Sequence, residues 1–169
     1  LSVMPPRPGG RQVLLCFRYT HGYCAERALY CKLLDLMGLL IGCLCHDLGH
    51  PSFGNLFMKE SEHPLSILFN DTSVLENYHA LVLFSILRCP IYDWTGEVGG
   101  QRKELRKCVL GCILGTDMSN HFDFINKFRD TFPSLRDMSR DLDNEEKIQL
   151  ATALIKCSDI SNVLRPFSI

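Results

Sequence analysis

The chain has 169 residues, 46% of them apolar and 22% charged, which is the composition of one globular domain and excludes a disordered or fibrous chain. A formal net charge of −1 provides no basic field, so nucleic acid is not an expected partner. The longest apolar run, Leu36 to Cys45, is well short of the ~20 residues that a membrane span requires.

In chain order, residues 1–12 (LSVMPPRPGGRQ) are rich in Pro and Gly and read as a loose arm. The segment LLDLMGLLIGCLC that starts at Leu33 is apolar nearly all round, which predicts a helix buried on most sides. It runs directly into CHDLGHP. His46 and Asp47 are neighbours and cannot share a helix face, yet they converge on one ion if the helix ends there and Asp47 turns back. His50, one turn beyond His46, can reach the same place from a second direction.

After a loop containing Pro51, Gly54 and Pro64, the stretch SVLENYHALVLFSILR predicts a helix with Leu75, Val82, Leu83, Ile86 and Leu87 at helical spacing. Ser73 is the expected cap, and Glu76 three residues on would complete a capping box. A turn-rich linker, CPIYDWTGEVGGQ, precedes RKELRKCVLGCILGTDMSNHFDFINKF, where Leu105, Val109, Cys112 and Ile113 fall on one side. A last helix is expected from Asn144, capped by Asp143. With no strand pattern of comparable strength and no internal repeat, the fold class is all-α.

Nine cysteines, an odd number, are scattered through apolar segments such as those holding Cys43, Cys45, Cys108, Cys112 and Cys157, and nothing resembles a secretory signal. Reduced core thiols in a cytoplasmic protein are the expectation. Cys43 and Cys45, two apart on a helix, point away from each other and belong to the core rather than to a thiolate site.

Several carboxylates and imidazoles sit where core should be. Asp159 closes IQLATALIKCSD, and a buried carboxylate there needs a positive partner, for which a metal would serve; a helix end reaching solvent explains it equally well. Asp117 has His121 one turn on, and Glu76 has His79, although Glu76 also has its capping explanation. Taken together, mixed His and carboxylate donors suit zinc with a harder ion such as magnesium or manganese. No Walker loop, GxSxG or GxGxxG occurs.

The blocks HDLGHPSFGNLF, PLSILFNDTSVLENYHA, LGTDMSNH and LIKCSDISNVLRP, in this order, resemble the catalytic domain of the class I cyclic nucleotide phosphodiesterases of the HD metal-hydrolase superfamily. NDxSVLENxH followed by TDMSxH and DISN is the specific part. The resemblance implies a compact multi-helix HD-type domain, incomplete because its C-terminal helices are absent. Residues 1–32 then form a poorly matching arm and helix, and residues 33–169 a partial catalytic domain.

It also implies roles. His46, Asp47 and Asp159 match ligands of a tightly held zinc, with Asp47 bridging to a second ion, magnesium or manganese. His50, Glu76, His79 and Thr116 match the shell around that second ion, and Asn162 a position near the purine pocket. The implied reaction is two-metal hydrolysis of cyclic AMP, with cyclic GMP the alternative, to the 5′-nucleotide. Water attacks the cyclic phosphate in line while a histidine gives a proton to the departing 3′ oxygen.

Three departures qualify this. Gly49 stands where most members carry Asp, a variant similar to fungal high-affinity members. The family's HNxxH motif, source of the proton donor and a fourth zinc ligand, is missing; the usual interval back from His46 lands near Gly10. A gapped match sets Thr20 and Cys24 there instead, with His21 beside them. Finally, the chain stops at Ile169, before the helices that carry the purine-reading glutamine and the aromatic clamp. Little or no activity is therefore expected of these residues in isolation. The alternative function is an inactive remnant or regulatory partner that retains the metal-site scaffold. A hydrolase of other nucleotides is disfavoured by NDxSVLENxH and DISN. Oligomeric state has no signal.

Overall fold

The computed structural model describes residues 33–133 and 141–161. Among these residues the chain is all-helical: α1 (Leu33–Cys45), α2 (Asn55–Glu60), α3 (Pro64–Leu68), α4 (Val74–Ile86), α5 (Arg102–Leu114), α6 (His121–Thr131) and α7 (Asn144–Asp159), with 3₁₀ segments at Trp94–Gln101 and Met118–Asn120. The expected helices are present, and among the described residues no strand interrupts them. None of these helices is long and apolar enough to cross a membrane.

The core lies where α1 crosses α5 and where α5 meets α7 and α4. One apolar cluster joins Leu39 and Cys43 of α1, Cys108 and Cys112 of α5, and Ala151 and Ile155 of α7. A second joins Leu34 to Ala80 and Leu83 of α4 and to Leu105, Val109 and Ile113 of α5. Leu105, Val109, Cys112 and Ile113 are all buried, as their spacing predicts.

Glycines set how close these helices come. A Cβ on Gly38 would lie 2.5 Å from Cys108 Sγ, and one on Gly42 would lie 2.5 Å from Cys112 Cβ. The same four-residue spacing recurs on α5 and its C-cap: a Cβ on Gly111 would collide with Ile148 and one on Gly115 with Thr152. Two small-residue faces therefore bring α1 onto α5, and α5 onto α7, closer than larger side chains permit. A mostly shielded ion pair, Lys147 Nζ to Asp35 Oδ2 at 3.4 Å, ties α7 to α1.

Helix α1 is enclosed on most sides, as expected: its residues enter both core clusters, and only Leu33 and Leu44 are exposed. Two expectations need correction. The stretch between α1 and α4, expected as a loop, holds two short helices, α2 and α3, with Pro64 at the first position of α3. Ser73 does not cap α4 through its side chain, because it adopts φ 42° in the left-handed region. Its hydroxyl instead donates to Asp117 Oδ2 at 2.7 Å. By contrast α7 starts as predicted, with a full capping box between Asp143 and Glu146.

Candidate functional site

Helix α1 ends at Cys45, and the chain turns at once: Leu48 N donates to Cys45 O and His50 N to Asp47 O, both at 3.1 Å. Gly49 closes this turn at φ 76°, a conformation in which most residues are strained and Gly is not. The turn swings Asp47 back towards His46, as the sequence demands of a shared site.

Each of the two buried imidazoles is held by a backbone carbonyl. His46 Nδ1 lies 3.0 Å from Cys43 O, and His79 Nδ1 lies 2.8 Å from Leu48 O. With Nδ1–H so engaged, each ring turns its Nε2 outwards, free to carry a proton or, once that proton is displaced, to ligate an ion. His46 Nε2 then faces two carboxylates, 3.3 Å from Asp47 Oδ2 and 3.3 Å from Asp159 Oδ1. It is buried yet aligned with neither, so it has no hydrogen-bond partner among the described residues. Burial opposes charge on this ring, but Asp159 and Asp47 outweigh it and push the pKa up to about 10. A site that draws a proton this strongly between two carboxylates is equally suited to a divalent cation.

Asp47 is shared by a second group. Its other oxygen, Oδ1, is 3.9 Å from His79 Nε2. Ligating atoms of Asp47, His50 and His79 all lie within 4.8 Å of one another, and the His50 and His79 rings stack at 5.5 Å. His50 differs from the other two imidazoles: its Nδ1 accepts from Ser52 N at 3.0 Å, so the neutral ring carries its proton on Nε2. It is placed to donate a hydrogen bond rather than to ligate. Burial pushes the His79 pKa down, keeping that ring neutral.

Glu76 and Thr116 line an adjacent open cavity of about 460 Å³ with Asn55, Lys59, Asp117 and Ser119. The carboxylate of Glu76 does not reach back to cap its helix. Asn55 Nδ2 donates to both of its oxygens, at 3.2 and 3.0 Å, and burial raises its pKa. Asn55 Oδ1 meanwhile accepts from Leu75 N at 2.9 Å and so supplies the cap that Ser73 does not. Sequence reasoning missed Asn55. No local signal marks it, since its partners Glu76 and Leu75 stand 21 and 20 residues further along the chain.

Asp117 is buried, accepting from Ser73 Oγ and from Ser119 N, while His121 stands apart with its ring against Phe122. Asn162, His21, Thr20 and Cys24 lie outside the described residues.

The donor set therefore passes a test of fit: an orphaned buried imidazole nitrogen and two carboxylates at one point, with the His79 imidazole on the far side of Asp47 and His50 beside it as a hydrogen-bond donor. Helix ends add to this. His46 follows the C-terminus of α1 and Asp159 ends α7, so the partial negative charges of two helix ends lie beside the His46–Asp159 contact.

The all-helical fold sets the class, and comparison with known proteins sets the family. Residues 12–169 match the 3′5′-cyclic nucleotide phosphodiesterase family, and the chain belongs to it. It is 44% identical to the 3′,5′-cyclic-nucleotide phosphodiesterase regA of Dictyostelium discoideum over 89% of this chain and 19% of that protein. It is 40% identical to the dual 3′,5′-cyclic-AMP and -GMP phosphodiesterase beta of Plasmodium falciparum, over 73% of this chain and 11% of that one. The phosphodiesterase domain of the RhoPDE fusion protein from the choanoflagellate Salpingoeca rosetta superposes with a TM-score of 0.83 at 25% identity. That match covers 94% of this chain and 50% of the other. The chain thus spans half of that solved domain and under a fifth of these two curated relatives.

Proposed function

We propose that this chain is the metal-binding part of a phosphodiesterase that hydrolyses a 3′,5′-cyclic nucleotide, cyclic AMP in the first instance and cyclic GMP as the alternative, to the 5′-nucleotide. The observation that carries the reading is the convergence of His46, Asp47 and Asp159 on one unpartnered imidazole nitrogen. These three would hold the tighter ion, zinc, with Asp47 extending towards a second, magnesium or manganese. When bound, such ions supply activation of water and relief of charge on the phosphoryl oxygens.

The remaining residues do the orienting. His50 presents Nε2–H as a donor, and His79 is held neutral on its far side. Glu76, kept in place by Asn55, has its pKa raised by burial and so is suited to accept and hold a proton beside the phosphate. Thr116 donates to Ile113 O at 2.7 Å, which fixes its hydroxyl at the cavity edge. Asn162 would contribute near the base. The expected division at residue 32 falls on residues outside the described ones, and the buried thiols Cys43, Cys108 and Cys112 support a reducing, cytoplasmic setting.

The test is hydrolysis of cyclic AMP and cyclic GMP by the full-length protein with magnesium or manganese, following 5′-nucleotide release. Metal-dependent turnover is expected. The missing HNxxH motif favours a second reading, a regulatory partner that retains the scaffold. Metal uptake without turnover of either nucleotide would establish that reading and overturn the first.

A further inference from the structure

Lys156 is 6% exposed, in the last turn of α7. A buried ammonium is costly unless hydrogen-bonded, so a lysine at a core position asks for a reason. Its Nζ donates to Gly115 O at 2.6 Å and to Asp117 O at 3.2 Å, the carbonyls on either side of Thr116. The Phe124 ring lies 5.7 Å from it. Burial pushes its pKa down, against the pull of Asp117, Asp159 and Glu76.

The position of these contacts matters more than their number. Lys156 is three residues before Asp159, so both project from neighbouring points on one face of α7. The turn it grips carries Thr116 to the cavity that Glu76 lines. The same turn carries Asp117, whose carboxylate receives the Ser73 hydroxyl at the head of α4, the helix of Glu76 and His79. One ammonium thus links the helix that bears Asp159 to the segment that bears the opposite wall.

We propose that Lys156 is a positioning residue, which pins the 115–117 turn to α7 and so sets the separation between Asp159 and the Thr116–Glu76 side of the candidate metal site. The proposal rests on the metal reading above. A lysine that only filled the core, or only capped α5, would leave ion binding unchanged when replaced by an apolar side chain of similar shape.

The experiment compares the full chain with Lys156→Met, which keeps the volume and removes the donors, and with Lys156→Arg, which keeps charge and donors. Amide hydrogen exchange of peptides spanning 115–120 reads the clamp, and electron paramagnetic resonance of free Mn²⁺ reads ion affinity. Lys156→Met should speed exchange there and weaken Mn²⁺ binding about tenfold, the scale of a lost outer-shell support, with Lys156→Arg nearer the parent. Unchanged exchange in Lys156→Met, or faster exchange with unchanged Mn²⁺ affinity, would overturn the proposal, as would Arg weakening binding as much as Met. Failure of the parent chain to take up Mn²⁺ would instead remove the metal reading, and with it the positioning role.

Discussion

Asn55 shows how one side chain serves both stability and site. Its amide nitrogen fixes the Glu76 carboxylate and its oxygen caps α4, so Asn55→Ala removes a cap and a hydrogen bond to a charged group together. A cap contributes about 1 kcal/mol and a charged hydrogen bond somewhat more, so a loss of about 2 kcal/mol is expected in urea denaturation. Asp117 provides a pH signature. Burial raises its pKa, but hydrogen bonds from Ser73 and Ser119 more than reverse this and hold the carboxyl below its usual range. A depressed carboxylate stabilises the fold above its unfolded pKa and loses that contribution as pH falls through the folded value. The gap in thermal midpoint between the parent and Asp117→Asn should therefore be steady above about pH 5 and close at lower pH. The His46–Asp47 pair was legible because its spacing makes sense only if the helix stops. Glu76 was misread as a capping acid because the local rule cannot see that Ser73 takes φ 42° or that Asn55 arrives from another part of the chain.

At the scale of elements, periodicity located the long helices but not α2 and α3, which are too short to show a repeat, and Asp143 marked the start of α7 correctly. Asp143→Ala should cost about 1 kcal/mol, read as a lower thermal midpoint. Helix crossings were not legible: Gly38, Gly42, Gly111 and Gly115 look like weak points in a helix until their partners are known. Ala at Gly111 would gain about 1 kcal/mol in helix propensity, yet its methyl meets Ile148. Overpacking of about 1–3 kcal/mol outweighs that gain, so Gly111→Ala is expected to destabilise. Combined with Ile148→Ala, the loss should be smaller than the sum of the two single losses, because the double variant removes the clash. Additive losses would show that the contact does not govern the crossing.

Among the described residues, the C-termini of α1 and α7 and the carboxylates of Asp47 and Asp159 meet at buried imidazoles, with Glu76 and Asp117 nearby and Lys59 and Lys156 as cations at the margin. This distribution was legible only in part, because sequence places Asp159 and His46 more than a hundred positions apart and only packing of α1, α5 and α7 brings them to 3.3 Å. A bound ion stabilises the folded state by mass action, so a chelator should lower the thermal midpoint of the parent and leave Asp159→Asn almost unmoved. The most direct test of the central claim is the metal content of the purified chain by mass spectrometry, beside Asp47→Asn and Asp159→Asn prepared identically. A tightly bound zinc in the parent, lost from both variants while their helical circular dichroism persists, is the predicted result. A parent chain that binds no zinc at saturation, or variants that keep it, would contradict the account.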